Sequence, residues 1–159
     1  MTSALEGVKV LDLSRVFSGP WAAQMLADFG AEVIKVERPG RGDDVRHQGY
    51  PMPDRDGKPS RETSSFVAMN RGKKSVTLDI SRPEGQALVR QLAQKADIVI
   101  ENFKAGDLKR YGLDSASLSE VNPRLVYCSI SGYSRATAEA QRPGYDLVVQ
   151  GESGIMAMN

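Results

Sequence analysis

The feature that most constrains this chain is an alternation. Short runs of β-branched and apolar residues are each followed by a turn signal and then by a segment with helical spacing. "VKVLDLS" (8 to 14) has the composition of a strand and leads to Gly19-Pro20, after which "WAAQMLADFG" sets Trp21, Met25 and Leu26 along one helix face. Pro20 suits a first helical turn, where its missing N–H is not needed, and Gly30 suits the left-handed position that ends a helix. "AEVIKVER" (31 to 38) is a second strand. Residues 39 to 65 are dense in glycine, proline and charge with no period, and read as one long loop; a loop of that length in a compact domain is functional or mobile.

The alternation then resumes. "KSVTLDI" (74 to 80) is a third strand, followed by "SRPEGQALVRQLAQKA", where Ser81 and Glu84 have the spacing of a capping box and Leu88, Leu92 and Ala96 repeat every fourth residue. "DIVIENF" (97 to 103) is a fourth strand. Ser117 with Glu120 caps a small helix that Pro123 ends, and "RLVYCSISGY" (124 to 133) is the fifth strand. Asp146 opens a last helix and supplies its N-terminal cap. Strands alternating with helices predict right-handed crossovers, so the expected fold is α/β: a Rossmann-like parallel sheet with helices on both faces, one domain over 1–159.

Charge narrows the partners. Lys and Arg number 21 against 20 Asp and Glu, a net of +1, so no global field draws the chain to nucleic acid or a membrane, and an anion needs a local cluster. The apolar runs are only a few residues long and "MTSALEGVKV" has no signal-peptide pattern, which reads as a cytoplasmic protein. Cys128 stands alone in a strand-like run and is expected as a small buried side chain.

In an open parallel sheet, ligands bind outside the carboxyl ends of the strands. The residues there are Val16, Phe17, Ser18 and Gly19, then Arg38, then Asp79 and Ser81, then Asn102, Phe103 and Lys104, with Lys109 and Arg110 nearby. That edge is basic and rich in donors, and the first helix adds free N–H groups for a phosphate. The expected ligand is phosphorylated and nucleotide-like. No G-x-G-x-x-G follows the first strand and no phosphate-loop motif occurs, so neither a dinucleotide nor an NTPase site is supported. "RGKK" (71 to 74) reads as solvated surface. His47 with Asp43 and Asp44 offers too few ligands at defined spacing, so no metal is expected.

The blocks "LEGVKVLDLSRVFSGPWAAQMLADFGAEVIKVERPGRGD", "MNRGKKSVTLDI", "ADIVIENFKAGDLKRYGL", "NPRLVYCSISGY" and "RPGYDLVVQGESGIM" occur in order and together resemble the class III CoA-transferases, a family that also holds formyl-CoA transferase and the 2-methylacyl-CoA racemases. The resemblance implies that the chain is an N-terminal, CoA-binding portion, because family members are far longer and Asn159 falls inside an apolar run. It implies CoA or acyl-CoA as substrate, a carboxylic acid as co-substrate, no permanently bound cofactor, and an interlocked homodimer. Carried over by position, the CoA contacts are Phe17, Ser18, Arg38, Leu78, Asp79, Asn102, Phe103, Lys104, Arg110, Pro143, Gly144, Tyr145 and Asp146. The family's nucleophilic aspartate falls beyond Asn159, so no catalytic residue is expected here and the chain alone is expected to be inactive. Tyr145 stands where racemases carry a histidine; a phenol, with a reference pKa of about 10, is a poor base, which favours transfer over racemisation. Ser134, Arg135 and Ala136 replace a glycine-rich stretch, so strain or remodelling is expected there. A non-catalytic CoA- or nucleotide-binding module is the alternative reading, with racemase chemistry behind it.

Overall fold

A computed structural model describes residues 3–158, except for the side chains of Pro59 and Arg61; Met1, Thr2 and Asn159, the outermost positions of the expected domain, lie outside the described residues. Strand β1 (Lys9–Asp12), helix α1 (Ser18–Asp28) and strand β2 (Glu32–Glu37) come first. Strands β3 (Pro51–Pro53) and β4 (Pro59–Thr63), helix α2 (Ser64–Asn70) and strand β5 (Lys74–Thr77) follow. Helix α3 (Pro83–Ala93), strand β6 (Ile98–Glu101), helix α4 (Ser115–Val121), strand β7 (Val126–Ser129) and helix α5 (Asp146–Glu152) complete the order. Five strands form one parallel sheet in the order β5-β2-β1-β6-β7, which is the expected α/β, Rossmann-like architecture.

Successive side chains of a strand point to opposite faces, so β1 feeds two cores at once. Leu11 and Leu13 join Val89 and Ala93 of α3 and Leu118 of α4, while Val10 joins Ala23 of α1 with Val33 and Ile100. Fully burying a side chain such as Leu11 or Leu118 contributes about 1.5–3 kcal/mol. Helix α1 lies on the sheet through Gly19, Pro20, Ala23 and Gln24. Small residues permit that approach: a Cβ at position 19 would overlap the Ser14 side chain. The larger apolar face of α1 turns outward instead, with Trp21 57% and Met25 51% exposed and Phe17 and Phe29 extending the same every-fourth-residue stripe.

Several expectations are corrected. Residues 39–65 are not one loop: a 3₁₀ turn spans Asp44–His47 and β3 pairs with β4 as an antiparallel hairpin. Its proline-rich strands pair with each other and not with the main sheet, so they carry no burial period. Ser81 does not cap α3. Its N–H and hydroxyl both donate to Asp79 Oδ1 (3.0 and 2.6 Å), Arg82 takes the cap position without a side-chain bond, and Pro83 starts the helix. Ser117 lies inside α4 with its hydroxyl donating to Asp114, and that helix ends at Val121 before Pro123. Asp146 is in the first turn of α5 but caps no backbone N–H; it accepts from Gln150 (2.7 Å), and Tyr145 precedes the helix. Cys128 is exposed, because β7 is an edge strand whose outer face nothing covers among the described residues. Ser134, Arg135 and Ala136 avoid positive φ, so that loop carries none of the left-handed strain expected of it.

Candidate functional site

Strand order reverses direction between β1 and β6: β2 and β5 extend to one side of β1, β7 to the other side of β6. At such a switch point the connections diverge and leave a crevice at the carboxyl ends of the strands. Here Asn102 bridges the two ends. Its Oδ1 accepts from the Arg15 N–H (2.9 Å) and its Nδ2 donates to the Arg15 carbonyl (2.7 Å), so this side chain is committed to holding the backbone after β1.

A cavity of about 330 Å³ opens beside that clamp, on the α3 side of the sheet. Its floor is apolar (Leu13, Val36, Leu78, Phe103), and three guanidiniums, those of Arg15, Arg38 and Arg110, line it. Arg15 lies over the Phe103 ring at 4.3 Å and has no ion-pair partner among the described residues. Burial holds its pKa below the usual 12.5 and the like charge of Arg38 lowers it further, yet a guanidinium stays protonated near neutrality. Arg38 donates to Asp44 (2.6 Å) and to the Gly42 carbonyl (3.3 Å), and Arg110 lies 3.6 Å from Asp107. An apolar slot with convergent guanidiniums fits a flat ring system joined to phosphates. Phe103 is itself pinned at both ends: its N–H donates to Glu101 (2.7 Å) and its carbonyl accepts from Arg135 (3.0 Å).

Under the opposite face of the sheet end lies a buried charge quartet. Lys35 Nζ is 2.8 Å from Asp43 and 3.9 Å from Asp12, and Lys73 Nζ is 2.8 Å from Asp12; all four side chains are at most 2% exposed. Two cations balance two anions, the condition for burying charge at all. Lys73 thus departs from the reading of "RGKK" as solvated, since its partner Asp12 sits 61 positions away in sequence, while Arg71 and Lys74 are exposed as expected. Asp43 also accepts from the Val16 N–H (3.0 Å), and Val16 is the one described non-glycine residue with positive φ, +70°. Left-handed backbone at a β-branched residue costs on the order of 1–3 kcal/mol, and such strain collects at ligand sites.

Glu37, at the end of β2, titrates abnormally. Burial would push its pKa up, but bonds from Arg46, the Ser75 hydroxyl and the Asp43 N–H outweigh burial and hold it at about 2 against an ordinary 4.5. A depressed carboxylate adds stability that is complete above about 4.5 and is lost as pH falls toward 2, here on the order of 3 kcal/mol. Urea melts between pH 6 and 2.5 are expected to show a loss that Glu37→Gln flattens; parallel profiles for the two proteins would refute this.

The cavity brings together five of the expected contacts: Arg38, Leu78, Asp79, Phe103 and Arg110. Asn102 holds the neighbouring turn, and Lys104 lies in a separate cleft with Glu101 and Tyr127. Phe17 and Ser18 are exposed at the start of α1. Pro143, Gly144, Tyr145 and Asp146 are exposed and apart from this cavity; Gly144 lies so close to Gly132 that a Cβ on either would overlap the other's Cα. Arg15 was missed by sequence reasoning, although it is only three positions past β1 and belongs to the same strand-end register. Among the described residues no three potential metal ligands cluster, and no helix is long and apolar enough to cross a membrane.

A profile of CoA-transferase family III matches residues 5–159. The chain belongs to that family. Among curated relatives of this CoA-transferase family III chain, succinate–glutarate CoA-transferase of Agrobacterium fabrum is 50% identical over 154 residues, 97% of this chain and 38% of the relative. Human succinyl-CoA:glutarate CoA-transferase is 44% identical over 152 residues, 96% of this chain and 33% of the relative. Among solved structures, a CAIB/BAIF family protein from Brucella suis superposes with a TM-score of 0.91 at 50% identity, covering 98% of this chain and 40% of that one. The chain therefore spans well under half the length of these relatives.

Proposed function

We propose that the cavity at the switch point binds the nucleotide part of CoA, and that the protein moves CoA from an acyl-CoA to a free carboxylic acid. The observation that carries this reading is the convergence of Arg15, Arg38 and Arg110 on one apolar-floored cavity in a chain of near-zero net charge. The names of the relatives supply the reaction class. Leu78 and Phe103 offer apolar contact to the adenine, Asp79 a hydrogen-bond acceptor, and the guanidiniums bind the phosphates. Phe17, Ser18, Asn102, Lys104 and the stretch Pro143 to Asp146 belong to the same proposed CoA path, outside this cavity.

In the proposed reaction an aspartate outside these 159 residues attacks the thioester carbonyl and expels CoA thiolate, leaving a mixed anhydride. The thiolate attacks the aspartyl carbonyl, which frees the donor acid and leaves an aspartyl thioester. The acceptor carboxylate attacks that thioester, and the returning thiolate takes the acceptor's acyl group and restores the aspartate. A carboxylate nucleophile thus divides one difficult exchange into easier steps. These 159 residues alone are expected to bind CoA without turning it over.

Calorimetry with CoA tests the site. Arg38→Ala and Arg15→Ala are each expected to weaken binding roughly tenfold, the usual effect of losing one charge-assisted bond. Unchanged affinity in both variants would remove the assignment. The reading includes a cytoplasmic location and a homodimer; the homodimer is supported by the exposed stripe Phe17, Trp21, Met25 and Phe29 along α1 and its two flanking residues, and by exposed Leu147, Val148 and Val149 on α5. Light scattering is expected to give at least twice the 17.3 kDa chain mass, and Trp21→Lys to lower it; a monomer before substitution refutes this part.

A further inference from the structure

Asp43 is fully buried, 27 positions beyond Val16, and it touches both sides of the arginine-lined cavity. Its Oδ1 accepts from the N–H groups of Val16 (3.0 Å) and Val45 (3.1 Å). Its Oδ2 faces Lys35 Nζ at 2.8 Å, and its own N–H donates to Glu37 Oε2 at 3.0 Å. On one side, then, it holds the turn that carries Arg15. On the other it closes the turn that carries Arg38, whose guanidinium donates to Gly42 and Asp44 on either side of Asp43.

Val16 has no conformational reason of its own to stand at φ +70°. A hydrogen bond from a fixed, buried acceptor supplies one: with the Arg15–Val16 peptide held by Asp43 and Asn102, φ at Val16 decides how the chain turns from there into α1. Asn102 holds Arg15 through its N–H and carbonyl, so release of the Val16 N–H would free the chain from Val16 onward and leave the Arg15 side chain, stacked on Phe103, with one anchor fewer.

We infer that Asp43 is a positioning residue that sets the spacing of Arg15 and Arg38 across the cavity by holding Val16 in the left-handed conformation. The inference rests on the CoA-binding reading for its ligand, but the Val16 hydrogen bond can be judged without any ligand. The competing role for Asp43 is that of a mere counter-ion to Lys35. The two differ in which oxygen matters: a counter-ion needs Oδ2 against Lys35, whereas positioning needs Oδ1 against Val16.

Removing Lys35 takes the counter-ion role away and leaves Asp12 balanced by Lys73. The experiment therefore compares Lys35→Met/Asp43→Asn, which keeps an acceptor oxygen for Val16, with Lys35→Met/Asp43→Ala, which does not. Adding Val16→Gly to the second protein lets the backbone take positive φ unaided. Two quantities are read: hydrogen exchange at the residue 16 amide, and CoA affinity by calorimetry. The alanine double variant is expected to exchange that amide at least about tenfold faster and to bind CoA roughly tenfold more weakly than the asparagine double variant, as loss of one buried hydrogen bond implies. Val16→Gly is expected to restore most of the affinity without restoring amide protection. Equal exchange in the two double variants overturns the inference, and so does a failure of Val16→Gly to improve binding. If the unaltered protein binds no CoA, the CoA reading falls while the exchange comparison still decides whether Asp43 holds Val16.

Discussion

Lys35→Ala is expected to lower folding stability by about 3–5 kcal/mol, the usual result of stripping one partner from a buried ion pair. The magnitude follows from what is left behind. Asp43 and Asp12, both fully buried, lose the cation at 2.8 and 3.9 Å, and Lys73 alone cannot neutralise two carboxylates. The Ser14 carbonyl also loses its donor from Lys35 at 2.9 Å. A chain of this size has only about 5–15 kcal/mol of net stability, so the urea midpoint should fall by a large fraction. Lys35→Met/Asp43→Asn is expected to recover part of the loss, because the remaining Asp12–Lys73 pair is balanced. A loss below about 1 kcal/mol for Lys35→Ala would mean that water reaches the quartet.

Gly85→Ala is expected to destabilise, against the ordinary rule. Within a helix this exchange stabilises by about 1 kcal/mol, since alanine loses less chain entropy than glycine. Gly85, however, is the third residue of α3, and a Cβ there would overlap the carbonyl of Asp79, a backbone atom that no rotamer can clear. That carbonyl already accepts from the Arg82 N–H at 3.1 Å, so the whole β5–α3 connection must shift. Overpacking of this kind costs about 1–3 kcal/mol and occasionally more, so the net loss should be on the order of 2 kcal/mol. The connection carries Leu78 and Asp79 into the cavity, so on the proposed CoA-binding reading the affinity for CoA should fall together with stability. A melting temperature at or above that of the parent would show that the helix moves freely over the connection.

The main sheet was legible because its five strands are short apolar runs bounded by turn chemistry, and each is followed by a segment whose spacing matches a helix. The β3–β4 hairpin was not, since Pro51, Pro53 and Pro59 interrupt it and neither strand is buried by the main sheet. Capping at Ser81 was misjudged for a local reason: Asp79 competes for its hydroxyl, and Pro83 already fixes where the helix begins. Cys128 and Trp21 show a different limit. Periodicity says which residues share a face, but only tertiary structure says whether that face is covered. Within the site, Arg38, Asp79, Phe103 and Arg110 follow from strand-end position, and Leu78 comes only from the family resemblance. The buried pair of Asp12 with Lys73 joins segments 61 positions apart, and that of Lys35 with Asp43 joins a strand to the loop after it, so no local pattern announces either.

The hairpin tip has a practical use. It closes on itself, with Asp54 Oδ1 accepting from the backbone N–H groups of Asp56 and Lys58 and the Asp54 N–H donating to the Lys58 carbonyl. Residues 54–58 are exposed, and none of them lines the arginine-bearing cavity. Such self-contained tips tolerate inserted sequence. A peptide tag or a fluorophore grafted between Asp56 and Gly57 would report on this protein from a position that leaves the sheet, the charge quartet and the ligand crevice untouched.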